Sequence, residues 1–177
     1  NLLCKEKGLQ GRLVWFDAEA NLWQLSTRRG VAEMVARCKA ANINTIIVDV
    51  KPLAGLVLYK SEFAPRLASF KGKEYPRNYD LLRVVLEEGR KAGIAVHAAI
   101  NVFSEGSQEL AGGPAFKHPD WQCMQYEVDR VLKSVGELDN VHHAIFVNPL
   151  HPDVRAYEIN IVREICHRYA VDGLVLD

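Results

Sequence analysis

The seven residues "TIIVDVK" at 45–51 constrain the fold more than any other stretch of the chain. β-Branched and apolar residues follow one another without the strict alternation of a half-solvated strand, so the run reads as a strand buried on both faces. Strands of that kind belong to parallel sheets, whose crossover connections are helices. Helical patterns stand on either side of the run. Upstream, Val31, Met34, Val35 and Cys38 recur at helical spacing behind a cap at Ser26 or Thr27, and "ANIN" ends that helix. Downstream, a Pro- and Gly-bearing excursion runs from Pro52 to Arg77. Asn78 or Asp80 then caps a helix with the stripe Leu81, Leu82, Val85, Leu86 and Gly89.

The same alternation extends to both ends. "RLVWFD" at 12–17 reads as a first strand followed by a loop, and Gly93 leads into a third strand from Ile94 to Asn101. The stretch 102–150 is long for a connection, which marks it as functional or as carrying structure of its own; "WQCMQYEV" and "HHAIFV" are its apolar segments. Pro152 opens a last helix with the stripe Val154, Tyr157, Ile161, Ile165 and Cys166, and "VDGLVLD" forms a fourth core strand. Strands alternating with helices predict an α/β fold with parallel strands and right-handed crossovers.

Each strand finishes on polar residues: Asp17, then Asp49 and Lys51, then His97 and Asn101, then Asp177. Side chains alternate along a strand, so Asp49 and Lys51 share a face, as do His97 and Asn101. Ligands of parallel α/β folds bind at the carboxyl ends of the strands, and a rim of Asp, Lys, Asn and His is the polar lining a sugar pocket needs. Each residue also has a plainer reading. Asp17 caps a turn, Asp49 and Lys51 form a structural ion pair, His97 is a hydrogen-bonded core histidine, and Asn101 starts a loop. Asp177 is the strongest candidate, because a carboxylate closing a core strand is costly unless it is paired or used. Trp23 and Tyr59 are candidates to line a cleft, whereas Trp15 and Trp121 read as core.

Net charge is zero and the sequence pI is about 7.2, so no electrostatic footprint for nucleic acid is present, and no apolar run reaches the length of a membrane span. Cys4, Cys38, Cys123 and Cys166 include no C-x-x-C pair, and Cys38 and Cys166 read as core thiols. His142 and His143 are adjacent and point to opposite faces of a strand, while His118 and His151 both precede Pro-Asp and read as helix or turn starts. With no metal-binding spacing among them, neither a metal nor another cofactor is expected.

Four segments, 11–23, 35–65, 79–103 and 146–177, together resemble the N-terminal half of bacterial glycosyl hydrolase-like family ten. "NPLHPDVR" followed by "YAVDGLVLD" is the most specific part, and "HPDW" at 118–121 also fits. The resemblance implies a (β/α)8 TIM-barrel type of fold, of which residues 1–177 supply about the first four β/α units as the N-terminal part of a single catalytic barrel domain. The other barrel half is then expected in further residues or in another chain.

The resemblance further implies a glycosidase of the bacterial envelope, exported to the periplasm or cell surface, acting on a polysaccharide or oligosaccharide such as peptidoglycan glycan. Asp177 takes the position of a catalytic carboxylate at the fourth strand. Asp49 and Lys51 match a polar pattern at the second strand, and Asn101 the polar end of the third. Glycosidic cleavage uses two carboxylates; the partner of Asp177 is expected on a later strand, with Asp17 or Asp49 as alternatives. Asp17, Asp49, Lys51, His97, Asn101 and Trp23 are the expected sugar contacts. Two other readings stay open: a glycan-binding barrel without catalysis, and a metal-dependent barrel hydrolase in which His97 and one of His118, His142, His143 or His151 converge.

Overall fold

The computed structural model describes residue 6 and residues 10–52, 54–110, 112–126, 132–134 and 144–177. In chain order its elements are β1 (Leu13–Phe16), α1 (Ala18–Leu25), α2 (Arg28–Ala40), β2 (Thr45–Lys51), the hairpin β3 (Ser69–Phe70) and β4 (Lys73–Glu74), and α3 (Leu81–Ala92). There follow β5 (Ala95–Ile100), β6 (Ser104–Ser107), the short α4 (Pro114–Lys117), a 3-10 turn (Pro119–Trp121), β7 (Met124–Tyr126), β8 (Leu132–Ser134), β9 (Ala144–Phe146), α5 (Pro152–Arg168) and β10 (Gly173–Leu176). The expected four-strand sheet is present. Its order is β1-β2-β5-β10, and every neighbouring pair is parallel.

The helices start where the capping chemistry places them. Thr27 accepts from the Gly30 amide, Asp80 from the Arg83 amide, and His151 Nδ1 from the Asp153 amide with Pro152 in the first turn. Gly93 ends α3 at φ 65°, the left-handed conformation glycine adopts without penalty. One expectation fails here: the segment after Asp17 is the helix α1, not a loop, and Asp17 is its N-cap.

Val31 and Val35 of α2, Leu81, Leu82 and Val85 of α3, and Ile161 and Ile165 of α5 share one core with Ile46, Val48, Val50, Val96, Ala98 and Ile100 of the sheet. Burying each Val, Leu or Ile side chain among them contributes roughly 1.5–3 kcal/mol before entropy is counted. The helices cover this face. The opposite face is only half-buried at Thr45, Ile47, Asp49, Ala95 and His97, so β2 is not sealed on both sides as its composition suggested.

Two more corrections concern α5 and the long connection. Cys38 is buried, but Cys166 is exposed. The buried stripe of α5 instead carries Glu158 and Glu164 among its apolar residues. Inside 102–150, β6 pairs antiparallel with β9, and β7 with β8. "HPDW" and "NPLHPD" pack on each other: Trp121 stacks on His118 at 4.2 Å, lies 6.3 Å from the His151 ring, and belongs to a second core with Ile145, Val147 and Val154.

Candidate functional site

Parallel register brings the strand tips level. Trp15 pairs with Ile47 and precedes Asp17, while Asp49 pairs with Ala99, two residues before Asn101. The Asp177 amide donates to the Ile100 carbonyl, and its own carbonyl accepts from the Val102 amide at 2.8 Å, so the β5–β10 ladder continues through it. Trp15, Asp17, Glu19, Asp49, Pro52, Asn101 and Asp177 together line an open cleft of about 280 Å³ at this rim.

Asp49 is the most constrained member. Its Oδ1 accepts from Trp15 Nε1 at 2.6 Å and its Oδ2 from the Ala18 amide at 3.2 Å. Burial pushes its carboxyl above the ordinary aspartate value. The two donors act against that shift, and the charges of Asp17 and Asp177 add to it. Glu19 is raised as well, first by burial and then by Asp17, with Lys71 opposing. Trp15, expected in the core, is 43% exposed and spans the cleft edge with its indole N–H tied to Asp49. The rim thus offers several carboxylates in unequal surroundings, an amide and an aromatic edge, which suits hydroxyl-rich ligands and proton transfer.

The structure separates three expected contacts from this group. Lys51 does not share a face with Asp49. A bulge at Val50 lets Asp49 pair with Ala99 and Lys51 with the very next residue, Ile100, which turns the lysine to the helix side. There, with a fully buried side chain, it donates to Glu105, to the Asn101 carbonyl at 2.6 Å and to Glu158 at 3.5 Å. His97 does lie on the inner face, but deeper: its ring covers Gly173, where an added Cβ would fall 2.8 Å from Nδ1. Trp23 sits on α1 with Lys73 Nζ 5.4 Å from its ring centroid and is not among the cleft residues. Tyr59 is wholly buried and donates to Glu164, so it lines no cleft.

Among the described residues, no group of three or more His, Cys, Asp or Glu is arranged to hold a metal. His142 and His143 lie outside the described residues. No helix among those residues is long and apolar enough to cross a membrane. Sequence reading missed Glu19 at the cleft and favoured core burial for Trp15, whose alternation with Asp17 pointed to the same side. The i to i+2 step from Asp17 to Glu19 across a helix start was the available signal for the first.

The sequence profile of the family described as Glycosyl hydrolase-like 10 matches residues 10–177. An S-layer-related protein from Niallia circulans is 29% identical over 176 residues, covering 93% of this chain and 11% of its own length. Glycosyl hydrolase DigH from Escherichia coli strain K12 is 30% identical over 151 residues, covering 76% of this chain and 30% of its own length. The chain therefore spans less than a third of these curated relatives. In fold it resembles alpha-L-fucosidase isoenzyme 2 from Paenibacillus thiaminolyticus, with TM-score 0.60 at 22% identity, over 85% of this chain and 20% of that one. That likeness supports a partial (β/α) barrel.

Proposed function

This chain belongs to the glycosyl hydrolase-like 10 family, and on that premise we propose that its cleft binds and cleaves a glycosidic bond in a bacterial envelope polysaccharide such as peptidoglycan glycan. The observation that carries the reading is the meeting of Asp17, Asp49, Asn101 and Asp177 in one cleft at the carboxyl rim of a parallel sheet. In this proposal Asp177 is one of the two catalytic carboxylates. Asp49 is held by Trp15 and the Ala18 amide and, with Asp17 and Asn101, binds sugar hydroxyls. Trp15 offers a face or edge to a pyranose ring. Export to the cell surface is part of the same proposal, supported by the name of the S-layer-related relative.

The test is release of reducing ends from purified peptidoglycan by the full-length protein. Asp177→Asn is expected to lower turnover by two to four orders of magnitude, roughly the share of a positioned acid or base, with the thermal midpoint unchanged. Wild-type turnover in that variant would remove Asp177 from the mechanism. Saturable glycan binding by the unmutated protein without any turnover would establish the non-catalytic binding barrel instead.

A further inference from the structure

Glu19 borders more than the cleft. The same residue lines a second recess of about 160 Å³ together with Ala54, Phe70, Lys71, Ser107 and Leu110. A small apolar pocket of about 20 Å³ lies against both, sharing Glu19 and Pro52 with the cleft and Glu19, Ala54, Phe70 and Leu110 with the recess. Binding sites for small organic ligands occupy roughly 300–1,000 Å³. The cleft at about 280 Å³ falls just short of that range alone and enters it with the recess.

The recess is roofed by the β3–β4 hairpin, whose two turn residues both have positive φ, 48° at Lys71 and 76° at Gly72. That turn favours Asn, Asp or Gly at its first position, so a lysine there is held against its backbone preference. Lys71 Nζ lies 5.1 Å from the Phe70 ring centroid, so the pair forms an amphipathic wall with an apolar ring and stem and a charged tip. Glu19 faces this wall from α1: Lys71 and Glu109 both act on its carboxyl, as do Asp17 and Asp49 from the cleft.

We propose that the recess is a second sugar subsite, which takes the neighbouring unit of the glycan whose first unit occupies the cleft. The Phe70–Lys71 wall stacks against the pyranose C–H face, and Glu19, shared by both spaces, accepts hydroxyl hydrogen bonds at the junction. This subsite rests on the glycan reading of the cleft.

The experiment measures affinity of the full-length Asp177→Asn protein for β-1,4-linked N-acetylglucosamine oligomers of one, two, three and four units by calorimetry, with and without Phe70→Ser or Lys71→Gly. Glycine suits the positive φ of residue 71, so that variant removes the wall's charged stem without straining the turn. Longer oligomers are expected to bind more tightly than the monomer. Each variant should weaken them about tenfold, the scale of one lost stacking contact, and leave the monomer unchanged. Monomer and oligomers bound equally well, or equal losses for all lengths, would overturn the subsite and leave the cleft's glycan reading standing. No binding at any length would overturn both.

Discussion

At Asp49 two opposed influences meet. Burial and the nearby charges of Asp17 and Asp177 favour the protonated carboxyl, whereas the indole N–H of Trp15 and the Ala18 amide favour the anion. Trp15→Phe removes one of those donors and keeps much of the aromatic bulk. The Asp49 carboxyl is then expected to titrate at higher pH in a carbon-13 NMR titration; an unchanged or lower midpoint would contradict the assignment. Glu105 shows a related balance inside the protein. Burial pushes its carboxyl up to about 8, with Lys51 opposing and the Glu158 charge adding. One ammonium serves two buried carboxylates there, so the cluster favours holding an extra proton. A folded value above the ordinary glutamate value of about 4.5 means that the folded state binds more protons, so this group's stabilisation is complete below about 4.5 and is lost as pH rises through about 8. Glu105→Gln should therefore flatten the decline of stability across that window in urea unfolding, and a slope equal to wild type would refute it. Lys51 itself shows how one residue misleads a periodicity argument. Alternation put it beside Asp49, and a single extra residue at Val50 reversed it.

At the scale of elements, side chains that serve two helices at once hold the frame behind the rim. Asp80 caps α3 and also accepts from the Tyr169 hydroxyl at 2.8 Å, just beyond α5. Asp80→Ala removes the cap and leaves the Tyr169 hydroxyl only the Lys60 carbonyl at 3.4 Å, so a loss of about 1–3 kcal/mol is expected. Tyr169→Phe should cost less, and the double variant less than the sum of the two; additive losses would show that the two groups are not coupled. Glu164 ties α5 to the segment after β2 in the same way, accepting from Tyr59, Ser61, the Glu62 amide and Arg168. The four sheet strands, α2, α3 and α5 were legible in the sequence, because β-branched runs, caps and 3.6-residue stripes are local signals. The buried acids of α5 were not. Glu158 occupies a stripe position between Val154 and Ile161, and its partners explain it: the Phe103 amide at 3.1 Å and Lys51 at 3.5 Å, 55 and 107 residues away in sequence. Helix α1 was hidden because Asp17 reads equally as a turn residue and as a cap.

For the whole molecule, the parallel sheet does the positioning. Its helices cover one face, its other face stays half-open, and its carboxyl rim gathers residues far apart in sequence. Strand polarity is what made much of that rim readable in advance: Asp17, Asp49, Asn101 and Asp177 were expected together because parallel strands end on one side. His97, Lys51 and Trp23 were expected there too and lie elsewhere, since depth along a strand, a bulge and a helix start are set by tertiary packing. Of the motifs that carried the family resemblance, "HPDW" and "NPLHPD" hold each other through Trp121 and do not line the cleft, whereas "YAVDGLVLD" reaches it through Asp177. The central claim, that this rim is where a glycan sits, is tested most directly by a crystal structure of the full-length Asp177→Asn protein grown with a tetramer of β-1,4-linked N-acetylglucosamine. The account predicts sugar density against Trp15, Asp49, Asn101 and position 177; sugar bound on the helix-covered side or at the amino ends of the strands would contradict it.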